Sequence, residues 1–200
     1  MKIGIFGGTF DPPHMGHFIL ASEGYSQLGL DRVFWVLTPT PPHKPDRNIT
    51  SHELREKMLE LVLERDPHFI LSRVDIKRPP PHYAVDTLEI FQKNHPYDEL
   101  FYLIGGDSLR DLHLWERPQQ LIDRVDGLAV YSRSQANPAS NQYDPELKGL
   151  DKKLIEIEGP LIQISSSDIR LRIQEGRPYR YFLPSFIHSF IEKHHLYSIR

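Results

Sequence analysis

Short apolar runs that stop at glycine or proline, each followed by residues with helical spacing, recur through this chain and narrow it to one fold class. KIGIF (2–6) ends at Gly7-Gly8 and has the length and flanks of a buried strand. Behind it, Phe18, Ala21, Tyr25 and Leu28 share one face of a helix that Gly29 stops. RVFWVL (32–37) is a second strand, dense in β-branched and aromatic residues, and the prolines of TPTPPHKPDRN (38–48) then forbid regular structure. Thr50 and Glu53 make a capping-box pattern ahead of a helical face of Leu54, Met58, Leu61 and Val62. FILSRVDI (69–76), LFYLI (100–104) and LAVY (128–131) read as further strands, with a helix carrying Ala84, Leu88 and Phe91 among them. The chain ends in a helix with Phe186, Ile187, Phe190 and Ile191 on one face. This alternation predicts an α/β protein with a mostly parallel sheet.

Right-handed crossovers bring every strand-to-helix loop to one edge of such a sheet. The unusual loops GGTFDPPHMGH (7–17), TPTPPHKPDRN and IGGDS (104–108) all follow strands, so they should meet at the carboxyl edge, where these sheets bind ligands. SRSQANPASNQYDPEL (132–147) reads as a mobile surface insertion.

Composition removes whole classes of function. The 200 residues suit one domain spanning 1–200, with about 165–200 as a C-terminal helical subregion. There is no cysteine, so disulfides, thiolate metal sites and a cysteine nucleophile are excluded. A net charge of −3 argues against a general nucleic-acid or anionic-membrane binder, while leaving room for a basic phosphate pocket. The apolar run at 3–6 is too short for a signal peptide, and no stretch reaches membrane-spanning length. The expected location is the cytoplasm, with no nucleic-acid or membrane partner. A homo-oligomer stays open.

GGTFDPPHMGH sets two imidazoles three residues apart beside a glycine turn. No Gly-x-Gly occurs in the chain, which rejects a dinucleotide fingerprint, and the one P-loop-like spacing, Gly24 to Gly29, lacks the Lys and Ser/Thr. Three readings of His14 and His17 stand. They could be half a zinc site, although the i, i+4 spacing and the Glu of HExxH are missing. They could be satisfied loop histidines. The company they keep, glycines and a helix N-terminus, favours contact with a phosphate.

GGTFDPPHMGH resembles the H-x-G-H signature of the nucleotidylyltransferase superfamily, specifically its bacterial nicotinate-nucleotide adenylyltransferase branch. ISSSDIR (164–170) is similar to the superfamily's second element, I-S-S-[ST]-x-[IL]-R. PPHK (41–44), HYAVDT (82–87), IGGDS with Trp115, and Ser132-Arg133 follow in the family's order, so the likeness covers about residues 2–197. It implies a Rossmann-like, doubly wound sheet with helices on both faces and a small C-terminal helical part. It implies adenylyl transfer from ATP to nicotinate mononucleotide, giving deamido-NAD and pyrophosphate. Mg2+ should arrive with the ATP, held by phosphate and water, and no protein metal ligand is expected.

By the same resemblance His14 and His17 face the triphosphate, with Gly7, Gly8, Thr9 and Phe10 beside it. Ser165, Ser166, Ser167 and Arg170 offer hydroxyls, helix N–H groups and a guanidinium from the other side. An N-cap accounts for one of those serines and less readily for three. Lys44 can reach the β- and γ-phosphates, or be a solvated lysine; Arg133 is placed with the nucleotide by family order. Asp107, after Gly105, suits ribose hydroxyls or caps the next helix. Trp115 stacks the pyridine ring if the resemblance holds, or else fills core or a surface patch. Tyr83, Ala84, Val85 and Thr87 would close that pocket. Here the chain departs from the family's Ser-Tyr-Thr, having His82-Tyr83-Ala84, so a hydroxyl is missing and the preference for acid over amide is in question. The rivals are a relative acting on nicotinamide mononucleotide or phosphopantetheine, and a nucleotide sensor without catalysis.

Overall fold

A computed structural model describes residues 1–41, 49–131 and 143–198. Six strands form one sheet: β1 (Lys2–Gly8), β2 (Arg32–Leu37), β3 (Phe69–Ser72), β4 (Glu99–Gly105), β5 (Gly127–Tyr131) and β6 (Leu154–Ile157). Every pairing is parallel and the order is β3-β2-β1-β4-β5-β6. The chain therefore winds one way from β1 through β3, then crosses back to β4 on the other side of β1. That makes β1 and β4 the switch point, where a crevice opens at the carboxyl edge.

Strand parity builds a core on each face. Ile3, Ile5, Leu100, Tyr102, Leu128 and Val130 face α3 (Ala84–Asn94) and α5 (Pro118–Arg124). Phe6, Val33, Trp35, Phe101, Leu103 and Ala129 face α1 (Met15–Leu28) and α2 (His52–Leu63). A third cluster joins Met58 of α2 to Ile169, Leu183, Ile187 and Ile191 of α7 (Ser166–Gln174) and α8 (Ser185–His194) and the turn between them. Short helices α4 (Gly106–Arg110) and α6 (Leu150–Lys153) also lie among the described residues.

Gly29 ends α1 with φ 59, the left-handed cap its position predicts. Several expectations need correcting. β3 stops at Ser72, because Asp75 turns inward to meet Arg78 and Thr87 and leaves no ladder for 73–76. Ser51, and not Thr50, is the N-cap of α2, because the Thr50 N–H and carbonyl are engaged by Asp11 and Arg55. The inner face of α2 is Arg55, Met58, Leu59 and Leu63, while Leu61 is exposed. In α8 only Ile187 and Ile191 are fully buried; Phe186 lies outside under the Arg65 guanidinium, 3.8 Å from the ring centroid. The edge strand β6 and helix α5 were not anticipated: β6 is four residues with Glu156 among them, and α5 opens on Pro118 in a polar segment.

Candidate active site

The loop after β1 is built around one buried ring. Phe10 has φ 49, a left-handed conformation unusual for an aromatic residue, and is held there by packing against Phe6, Trp35 and His17 at ring-centroid distances of 5.4, 5.2 and 5.1 Å. A Cβ on Gly8 would fall 2.8 Å from that ring, so only glycine fits there. His14 is the N-cap of α1 and is buried. Its backbone N–H donates to His17 Nδ1 at 3.1 Å. That bond uses the Nδ1 lone pair, so the His17 proton sits on Nε2. The two imidazoles stack at 3.7 Å. One nitrogen of His17 is engaged in this way, and among the described residues no group of three or more His, Cys, Asp or Glu side chains is placed to hold a metal ion.

ISSSDIR meets this loop directly. Ser165 is the N-cap of α7 and its Oγ accepts from the Asp168 N–H at 3.1 Å. Ser166 Oγ donates to the Pro12 carbonyl at 2.9 Å. Arg170 Nη1 donates to the Asp11 carbonyl at 2.6 Å, and Nη2 to Ser167 Oγ at 3.3 Å. One serine is thus an ordinary cap, one ties two loops together and one steadies the arginine. The N-termini of α1 and α7, the positive ends of their helix dipoles, share one cavity wall.

That cavity holds about 610 Å³ and lies at the carboxyl edge beside β1 and β4. Gly7, Gly8, Thr9, Phe10, His14, His17, Ser165, Ser166, Ser167 and Arg170 line one end. Tyr83, Ala84, Thr87, Gly105, Asp107 and Trp115 line the rest. Asp107 is exposed, lies inside the first turn of α4 and makes no capping bond, so the helix-cap reading fails. Trp115 is a partly buried wall of the cavity, packed against the core and edge-on to Tyr102 at 6.2 Å. The Val85 side chain does not reach the cavity, because α3 turns it into the core beneath Leu88 and Phe91. Lys44 and Arg133 lie outside the described residues, as does most of the 132–147 segment.

Four supporting residues escaped the sequence reading. Arg55, 1% exposed, is held by backbone carbonyls: Nε donates to Thr50 at 2.7 Å, Nη1 to Thr9 at 2.7 Å and Thr38 at 2.9 Å, and Nη2 to Pro39 at 2.7 Å. Burial pulls its pKa below the usual arginine range, against the pull of the nearby Asp11 carboxylate. Asp11, also buried, accepts from the Thr50 N–H at 3.3 Å and the Tyr197 hydroxyl at 2.8 Å. Burial, with Asp11 alongside, pushes the Tyr197 phenol well above its ordinary value. Asp75 accepts from Thr87 Oγ1 at 2.8 Å and Arg78 Nε at 3.0 Å beneath the Tyr83 end of the cavity. Asp11 stood inside the histidine motif and could have been read; nothing in the sequence marked Arg55 or Tyr197.

The arrangement can do one kind of chemistry well. Imidazole, helix N–H and guanidinium donors share one cavity with an aromatic wall and a carboxylate. That suits a polyphosphate at one end and a flat ring with hydroxylated sugar elsewhere. Residues 5–172 match the cytidylyltransferase-like family model. A probable nicotinate-nucleotide adenylyltransferase from Bacillus pumilus is 38% identical over 197 residues, covering 98% of both chains. Another of that name from Thermus thermophilus is 39% identical, covering 98% of this chain and all of its own. Among solved structures, Plasmodium falciparum nicotinic acid mononucleotide adenylyltransferase complexed with NaAD superposes with a TM-score of 0.80 at 18% identity, covering 98% of this chain and 97% of that one, a likeness of fold.

Proposed function

We infer that this chain, which belongs to the nicotinate-nucleotide adenylyltransferases of the cytidylyltransferase-like family, transfers the adenylyl group of ATP to nicotinate mononucleotide in NAD biosynthesis. The observation that carries the reading is the junction of the two phosphate elements: Ser166 and Arg170 of α7 bond the Pro12 and Asp11 carbonyls of the histidine loop across one cavity.

A 5′-phosphate oxygen of the mononucleotide forms a bond to the α-phosphorus of ATP as the bond to the α,β-bridging oxygen breaks. Pyrophosphate leaves with that electron pair. A phosphate monoester has its second pKa near ~6, so the nucleophile is already largely a dianion and no general base is needed. What requires help is the charge on the non-bridging and leaving oxygens. His17 donates from Nε2, the nitrogen its bond to the His14 N–H leaves protonated. Arg170, with two of its five N–H groups used in the bonds described, has three left for phosphate. The N–H groups opening α1 and α7 add fixed dipoles that need no reorganisation during the reaction.

Mg2+ enters as part of the ATP substrate. An ion kept on phosphate oxygens and water needs no carboxylate cage from the protein. Asp107 takes ribose hydroxyls, and Trp115 stacks the pyridine ring with Tyr83 and the N-terminal amides of α3 around its carboxylate. Lys44 and Arg133 are assigned to the nucleotide phosphates by family position. The cytoplasm is the location proposed; no helix among the described residues is long and apolar enough to cross a membrane.

The test offers Mg-ATP with nicotinate mononucleotide, nicotinamide mononucleotide or phosphopantetheine in parallel and measures pyrophosphate. Fastest release with the nicotinate substrate is expected. Release with phosphopantetheine alone, or with no acceptor, refutes the reading.

A further inference from the structure

Tyr197 stands 186 residues from Asp11 in sequence, yet its hydroxyl donates to Asp11 Oδ1 at 2.8 Å. Asp11 is 3% exposed, so water does not serve its carboxylate freely, and each donor it has matters. The Thr50 N–H, at 3.3 Å, supplies Oδ2. Two guanidinium groups stand near. Arg55 is already committed to four carbonyls. Arg170 is not: its Nη1 bonds the Asp11 backbone carbonyl and lies 4.0 Å from Asp11 Oδ2, outside hydrogen-bonding range. Arg170 thus lies between the triphosphate end of the cavity, which it lines, and a buried carboxylate that would attract it.

We propose that Tyr197 is a positioning residue: by supplying Asp11 Oδ1 with a proton donor, it keeps that carboxylate from closing on Arg170, and so leaves the guanidinium facing the triphosphate. Without the phenol, Oδ1 loses its donor in a buried site, and the carboxylate, whose other oxygen Oδ2 already lies 4.0 Å from Arg170 Nη1, is released to turn toward that guanidinium. The C-terminal segment then does more than cover the α2 face. It sets the charge presented to ATP from across the fold. This rests on the adenylyl-transfer reading of the cavity.

A double-mutant cycle decides it, because a residue acting through Arg170 loses its effect when Arg170 is gone, whereas a structural staple does not. Tyr197→Phe is expected to lower kcat/KM for ATP about tenfold, the size of one hydrogen bond to a charged acceptor. In the Arg170→Gln background the same change should cost less than about threefold. All proteins are assayed 10 °C below the lowest melting midpoint of the set, so unfolding cannot mimic the result. A loss under threefold in the native background, or of threefold or more in the Arg170→Gln background, overturns the proposal. If Tyr197→Phe does not fold, truncation after Leu196 enters the same cycle with the same limits. Mg-ATP affinity by equilibrium dialysis runs alongside. If the native protein releases no pyrophosphate with any acceptor, adenylyl transfer fails, and the affinity cycle decides the Tyr197 coupling on the same thresholds.

Discussion

Replacing Arg55 by methionine should destabilise this protein more than any other single change on the inner face of α2. The side chain is 1% exposed and gives four hydrogen bonds of 2.7 to 2.9 Å to carbonyls of Thr9, Thr38, Pro39 and Thr50. Methionine fills much of the volume and donates nothing. Each bond to a charged donor is worth about 1.5–3 kcal/mol, so simple addition would approach the whole stability of a domain, about 5–15 kcal/mol. Two effects reduce the sum. The guanidinium loses a desolvation penalty, visible as its downward pKa shift, and the loops can relax toward water. Removing one partner from a buried ionic cluster costs about 3–5 kcal/mol, which is the expected figure. At about 2–4 °C per kcal/mol for a chain of this size, the melting midpoint should fall by about 6–20 °C. Arg55→Lys, one ammonium facing four separated carbonyls, should recover only part of that. Differential scanning calorimetry of the three proteins, backed by urea midpoints, measures it. A midpoint for Arg55→Met within about 2 °C of native would mean the four carbonyls are satisfied without Arg55, and the bolt between the loops is fictitious.

Three other changes probe the site itself. Gly16→Ala places a Cβ 3.1 Å from His14 Nδ1 and 3.2 Å from its Cε1, so the ring must move. Alanine is favoured in a helix by up to about 1 kcal/mol, so the midpoint should hold or rise while turnover falls at least about tenfold; calorimetry and pyrophosphate release moving down together would contradict this. His17→Ala should cut kcat by about 10²–10³ with native circular dichroism and ATP affinity largely kept, whereas an undiminished rate makes the loop histidines structural. Trp115→Ala should raise KM for nicotinate mononucleotide about tenfold or more, since stacking is worth about 1–3 kcal/mol, and leave KM for ATP within about twofold. Equal rises in both constants would remove Trp115 from the pyridine pocket.

Periodicity reads where burial follows from one element and fails where an element serves two masters. Five strands and the helices α1, α2 and α3 between them were legible because each is apolar enough to declare its own period, whereas α5 opens in a polar segment and does not. β6 was not: four residues on a sheet edge, with Glu156 among them, look like loop in isolation. The inner face of α2 was misread for a physical reason. A hydrophobic count places Arg55 on the solvent side, yet its fork matches carbonyls that come from loops after β1 and β2. The site divides in the same way. His14, His17, the three serines and Arg170 sit in compact motifs, so residue type and spacing expose them. Asp11 hides in a motif as a turn former, and Val85 was assigned to the pocket through the amides that open α3, which leaves its side chain to the core.

The order of the first five strands was already determined by the amino-acid sequence, through short apolar runs that must be buried and crossovers of one hand, and with it the meeting of the histidine and IGGDS loops at one sheet edge; the serine element was placed there by family resemblance. The sequence also determined the donor types at that edge. Tertiary structure alone decided how those donors are held. The proton on His17 Nε2 is set by a backbone N–H at the N-cap, a three-dimensional bond. The setting of Arg170 depends on Asp11, and that of Asp11 on a tyrosine 186 residues further along. Contacts of that separation arise only once the chain has closed on itself, and no local pattern of residues encodes them.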